Sequence, residues 1–132
     1  VHNTFMPEED IVWANEYAVS NGLKLVYCLC INANLYIENK VPPIDLMIKH
    51  QCTVVLGTDS YSSNWQLSIA KEIGSIRKHF PHIPEESILQ WATRNGAAAL
   101  GWGDELGRFS PGTLPGLVQM NIDFDKSAKL VF

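Results

Sequence analysis

The stretch that decides the fold is Cys52 to Asn64, C-T-V-V-L-G-T-D-S-Y-S-S-N. Thr53–Leu56 is a short, unbroken apolar run, the pattern of a strand buried on both faces of a parallel sheet. Gly57 lets the backbone turn as that strand ends. Asp59 then falls at the carboxyl end, the rim where α/β folds gather their reactive groups. Ser60, Ser62, Ser63 and Asn64 are candidate N-caps for the helix that follows. A second reading of Asp59 stays open beside the first: a helix cap, or a partner for loop amides.

Working outward, Leu67, Ile69, Ala70, Ile73 and Ile76 describe a helix ending near His79-Phe80-Pro81. Upstream, Pro42-Pro43 opens a short helix running to about His50, and Leu23 to Leu29 reads as a second buried strand. Pro7 followed by Glu8, Glu9 and Asp10 is a helix start, because proline fits the first turn and carboxylates suit the positive end of the dipole. Ile11, Val12, Ala14, Ala18 and Val19 give that helix an apolar face, and Asn21-Gly22 closes it. Cys30 to Pro43 reads as a loop carrying Asn32, Asn34, Tyr36, Glu38 and Asn39, and its length suggests a functional segment. Downstream, Pro84-Glu85-Glu86 starts another helix, with a kink expected at Asn95-Gly96. From Gly101 onward, glycines and prolines punctuate two β-like pieces, Gly116–Asn121 and Lys129–Phe132.

This order is βαβ grammar, so the expected class is α/β with a parallel sheet. Its first strand is only a stub, Val1-His2-Asn3-Thr4, and the chain opens there without a methionine. The expectation is therefore a piece of a longer polypeptide. Three parallel strands leave open edges that neighbours from the rest of the protein would cover.

Composition narrows the functional classes. The chain has 132 residues, enough for one domain with a sizeable core, and a net charge of −4. No basic stripe is present, which argues against a nucleic-acid partner. No apolar run approaches the roughly 20 residues a membrane span needs, so no membrane partner is expected. The three cysteines are Cys28, Cys30 and Cys52. Cys28 and Cys30 are expected to face opposite sides of their strand and not to pair, which suggests a reducing, cytoplasmic compartment. Their spacing is not that of a structural zinc site.

Polar groups gather at three strand ends: His2-Asn3-Thr4, Cys30 with Asn32 and Asn34, and Asp59-Ser60. Parallel neighbours would bring these ends to one rim, as a barrel or open-sheet active site requires. The alternative for His2 is an ordinary polar residue at a chain end. His50, His79 and His82 look like helix-end or surface residues. A Ser-His-Asp reading of Ser60, His2 and Asp59 lacks the nucleophile-elbow sequence around its serine.

Five ordered segments together resemble the C-terminal third of the amidohydrolase superfamily, in its aminohydrolase branch of deaminases and related chlorohydrolases. Val1-His2-Asn3-Thr4 resembles the end of barrel strand six, where that branch has a histidine. Cys30-Ile31-Asn32-Ala33-Asn34-Leu35 resembles the C-P-x-S-N-L segment after strand seven, with Pro42-Pro43-Ile44 opening the next helix. Val55-Leu56-Gly57-Thr58-Asp59-Ser60, with Ser63-Asn64 following, resembles the strand-eight motif. Ala92 to Gly101 resembles the late helix A-T-x-N-G-A-x-A-L-G, and Leu106 to Gly112 the turn into a small β-sandwich. Ile31 and Ala33 depart from the usual proline and serine, and Leu114-Pro115-Gly116-Leu117 stands where the branch has A-D-L.

The resemblance implies the C-terminal portion of a (β/α)8 TIM-like barrel, about strands six to eight with their helices, over residues 1–103. A β return segment of the small sandwich would follow over 104–132. It implies a divalent metal, zinc first and iron as the alternative, in the complete protein. Asp59 would be metal ligand and base, and His2 would orient water or polarise substrate; both are assigned as catalytic and metal residues. Asn32, Asn34 and Ser60 are assigned to substrate binding. The implied reaction is hydrolysis of a C–N bond of a small ring compound by metal-activated water. The strand-one H-x-H pair, the strand-five histidine and its neighbouring glutamate have no counterpart here, so the isolated chain is expected to bind metal poorly and to be inactive. Its partners would be a small-molecule substrate and the rest of its own barrel, and a homo-oligomer is compatible with this reading. Two alternatives are a ring amidase of the hydantoinase or dihydroorotase type, and a non-catalytic α/β module binding a ligand or partner through Asn32–Asn39.

Overall fold

The computed structural model describes residues 2–114 and 116–130. Its elements run α1 (Glu8–Ser20), β1 (Tyr27–Leu29), α2 (Ile31–Glu38), α3 (Ile44–Lys49), β2 (Val54–Leu56), α4 (Ile69–His79), α5 (Glu85–Ala92), α6 (Arg94–Ala99), β3 (Leu117–Met120) and β4 (Ser127–Leu130). β1 and β2 pair in parallel, Cys28 opposite Val55, and Gly57 N–H extends the ladder to Leu29 O at 2.8 Å. Ile11, Leu29, Ile31, Ile44, Met47, Ile73, Ile76 and Ile88 are sealed beneath the helices, one contiguous apolar core around the sheet. No helix among the described residues is long and apolar enough to cross a membrane.

The decisive strand lies where its apolar run places it, with Val54 and Val55 buried and Leu56 half-buried. Several expectations need correction. His2-Asn3-Thr4 lies not within a strand but in a left-handed turn, with φ of 69° at His2 and 55° at Asn3, closed by Met6 N–H on Asn3 O. A strand needs a hydrogen-bonding neighbour, and among the described residues β1 pairs only with β2; Val1 lies outside them. The Leu23–Leu29 strand shrinks to its last three residues for the same reason.

The expected Cys30–Pro43 loop contains helix α2, stopped by Asn39 in the left-handed conformation that asparagine tolerates. Helix α4 is capped by Ser68, whose hydroxyl accepts from Lys71 N–H, and not by Ser60, Ser62, Ser63 or Asn64. The expected kink at Asn95-Gly96 falls instead at Thr93, between α5 and α6. Helix α1 buries a narrow stripe of Ile11 and Ala18, while Val19 is exposed and Trp13 stacks on Tyr17 outside the core.

Cys28 and Cys30 do not face opposite sides. Residues two apart on a strand share a face, and a methyl at Gly57 would meet both sulfurs, Cys28 Sγ at 2.9 Å and Cys30 Sγ at 3.2 Å. Both thiols are free, as is that of Cys52.

The C-terminal pieces form an antiparallel hairpin, Leu117 opposite Leu130 and Met120 opposite Ser127. The last two residues of the expected Lys129–Phe132 piece lie outside the described residues, as does Pro115 of the 114–117 turn. The hairpin is anchored by Phe124, buried at its turn, with the Arg77 guanidinium of α4 over its ring at 4.8 Å. Arg77 also donates to Ile122 O at 3.0 Å.

Candidate functional site

The site begins where β2 runs out. Past Gly57, the backbone turns so that Asp59 adopts a φ of 58°. Aspartate is one of the few non-glycine residues that adopt this region readily, and its carboxylate is held in place by the turn that follows. Ser63 Oγ donates to Asp59 Oδ2 at 2.6 Å, and Ser60 Oγ shares hydrogen bonds with Ser62 Oγ at 2.7 Å and Ser63 Oγ at 3.0 Å. Ser60 is therefore exposed and engaged in a serine cluster beside the carboxylate.

His2 arrives from the other end of the chain. Its Nε2 lies 3.5 Å from Asp59 Oδ2, with the two side chains 38% and 30% exposed, so solvent still reaches both. What holds His2 is α2. Asn34 Nδ2 donates to His2 O at 3.4 Å and to the Thr4 hydroxyl. Asn34 is buried, and its Oδ1 has no hydrogen-bond partner among the described residues. An orphaned buried acceptor is costly and calls for a reason.

Asn32, two residues earlier, sits in a different environment. Its backbone N–H and its Nδ2 both donate to Glu72, each at 3.0 Å, and Ser75 Oγ donates to its Oδ1 at 2.6 Å. With every group satisfied and the side chain buried, Asn32 faces structure, not an open cleft. Glu72 is fully buried on α4 and takes a third donor, Asn64 Nδ2, at 3.0 Å. The same Asn64 amide reaches Thr58 O at 2.7 Å. Burial pushes the Glu72 carboxyl up from its usual 4.5, against the amide donors that pull it down. Glu72 also supplies the negative end that α2 otherwise lacks, since Cys30 caps that helix with no side-chain bond.

Glu72 was absent from the sequence-based set of site residues, yet a signal for it exists. It lies in the α4 stripe with Ile69, Ile73 and Ile76, where a carboxylate among apolar residues needs a buried partner. The thiols lie one layer below. The Cys28 thiol is drawn down to about 7, chiefly by the Cys30 thiol beside it, while Cys30 is pushed up by that neighbour and by burial. The remaining histidines have local partners: His50 Nε2 meets Glu8 at 2.6 Å, His82 Nε2 meets Asp45 at 2.7 Å, and His79 Nδ1 meets Ser75 O at 2.9 Å.

Among the described residues, no group of three or more His, Cys, Asp or Glu is placed to hold a metal ion. A catalytic zinc takes about three protein ligands. His2 and Asp59 are of the right donor types and converge, so they fit two positions of such a set and do not complete it.

Comparison with known proteins shows the family. The chain is similar to the 5-methylthioadenosine/S-adenosylhomocysteine deaminase of Syntrophomonas wolfei, 34% identical over 130 residues, covering 92% of this chain and 28% of that protein. The protein of the same name from Thermoanaerobacter pseudethanolicus is 33% identical over 129 residues, with the same two coverages of 92% and 28%. Among solved structures, an adenosine deaminase from Xanthomonas campestris with bound zinc superposes with a TM-score of 0.68 at 26% identity, over 89% of this chain and 27% of that one. The chain thus spans a little over a quarter of the length of its relatives. The family model for the amidohydrolase family matches residues 1–132 throughout, and the chain belongs to that family.

Proposed function

We propose that residues 1–132 are the C-terminal part of a metal-dependent hydrolase of deaminase type, acting on a C–N bond of a small ring compound. Strands β1 and β2 correspond in this reading to the seventh and eighth strands of a (β/α)8 barrel. The His2 turn stands at the end of the sixth, residues 1–103 form the barrel portion, and 104–132 form the return segment. The observation that carries the reading is the meeting of His2 and Asp59, 57 positions apart in sequence, at 3.5 Å on one rim. The names of the relatives favour an adenosine-type nucleoside as substrate, and the free cysteines suit a reducing compartment such as the cytoplasm.

His2 and Asp59 would hold a divalent metal, zinc first, together with donors from outside this chain. The metal, when bound, supplies activation of water and charge neutralisation at the attacked carbon. Asp59 does the proton work. Ser63 donates to Oδ2 and fixes the carboxylate plane, and the remaining lone pairs of the carboxylate would serve both to hold the metal and to accept a proton from water and return it to the departing nitrogen. His2 lies beside that carboxylate to orient the water or polarise the substrate. Asn34, buried like Asn32, acts through the His2 turn that its Nδ2 holds and does not itself face the mouth. Ser60 lines the same mouth, and Asn32 acts through Glu72.

The test is ammonia release from adenosine-type nucleosides by the zinc-loaded full-length protein. Deamination is expected there, with none from residues 1–132 alone. A full-length, zinc-loaded protein that releases no ammonia from any of these nucleosides contradicts the reading.

A further inference from the structure

We propose that Glu72 is a positioning residue that sets His2 and Asp59 in register with each other, acting through two amide arms; the inference rests on the function proposed above. One arm runs from Glu72 Oε1 through Asn64 Nδ2, at 3.0 Å, to Thr58 O at 2.7 Å, the carbonyl immediately before Asp59. The other runs from Glu72 to the backbone and side chain of Asn32 at the start of α2, 3.0 Å in each case. One half-turn later on the same helix, Asn34 grips His2 O and the Thr4 hydroxyl.

Both site residues sit in left-handed backbone, His2 at φ 69° and Asp59 at φ 58°, in turns whose position depends on constraint from neighbouring elements. The two arms supply that constraint, and they meet on one carboxylate. Glu72 reaches neither His2 nor Asp59 itself. Its partners are amides with fixed directions, so it transmits geometry where a cation would transmit charge. Its seclusion matters as well: a fully buried carboxylate bonded by three N–H groups cannot drift to solvent. Asn64 serves the same purpose from the loop, since its Oδ1 accepts from Gln66 N–H and thereby locks the amide that spans Glu72 and Thr58.

The test uses the full-length protein with Glu72→Gln, Asn64→Ala, their double variant, and Asp59→Asn. Asn64→Ala cuts only the arm to Thr58, so it remains informative should Glu72→Gln fold poorly. The quantities read are kcat and KM separately, each per zinc-loaded molecule, with zinc content and thermal midpoint alongside. Glu72→Gln and Asn64→Ala are each expected to lower kcat roughly ten- to hundredfold with KM changed less than about threefold. The double variant is expected to be no worse than the poorer single, because both cut one chain of contacts. Unchanged kcat per zinc-loaded molecule in both single variants, with Asp59→Asn inactive, overturns the positioning role and leaves the proposed function standing. Asp59→Asn turning over at the parent rate overturns both.

Discussion

Two carboxylates, Asp59 and Glu72, stand on either side of the same turn and are treated oppositely by the fold. Glu72 is fully buried and ringed by amide donors from Asn32 and Asn64. Asp59 keeps nearly a third of its side chain open, with one hydroxyl donor and an imidazole for company. A sealed, fully bonded acid cannot exchange a proton with a substrate; it can only hold things still. An acid with an unused oxygen, half-open at a strand end, is placed where the proposed proton transfer needs it. The difference predicts that damage to Asp59 should appear in turnover, and damage to Glu72 in folding as well as in turnover.

The largest expected effect is on turnover. Asp59→Ala in the full-length protein should lower kcat by more than about a thousandfold, on the order of 4 kcal/mol, with weakened zinc retention and little change in thermal midpoint. An active, zinc-loaded variant would break the contrast. Glu72→Ala should lower turnover less than Asp59→Ala does and in addition destabilise the fold by about 3 kcal/mol in urea unfolding, because three buried N–H groups lose their acceptor. His2→Ala should reduce turnover while costing less zinc than Asp59→Ala, and equal loss of both would reverse the assigned roles.

Gly57→Ala sharpens the comparison from below, since its methyl would press on Cys28 Sγ and Cys30 Sγ beneath the Asp59 turn. A cost of about 1–3 kcal/mol is expected in the same unfolding assay.

The smallest effect is a pH dependence. Because the Glu72 carboxyl is raised in the fold above its usual 4.5, the native state holds its proton longer than the unfolded chain does. Its contribution is therefore fully present below about 4.5 and is lost as pH climbs toward the raised value. Glu72→Gln should flatten that decline. A wild-type thermal midpoint that rises relative to Glu72→Gln across the same range would contradict the sign.

Much of this frame was legible in the chain itself. Pro7, Pro43 and Pro84, each followed by acidic or apolar residues, mark the starts of α1, α3 and α5, and the run into Gly57 marks β2 and the position of Asp59. Helix α2 was not legible, because its N-terminus carries no capping side chain of its own. Its acceptor is Glu72, 40 residues away in sequence, and no local pattern encodes that. The asparagines of α2 share this history: residues that read as loop polarity divide into Asn32, spent on Glu72, and Asn34, spent on the His2 turn. The cysteine expectation failed on periodicity, since strand neighbours two apart face the same way. His2 reached the rim as foreseen, but through a turn fixed by Asn34 in place of a strand ladder.

The most direct test of the central claim is the anomalous scattering of zinc in crystals of the full-length protein. The account predicts a zinc peak within about 2.0–2.2 Å of an Asp59 carboxylate oxygen, with the His2 imidazole lining the same site. A zinc peak remote from both, with Asp59 bonded only to Ser63, would contradict it.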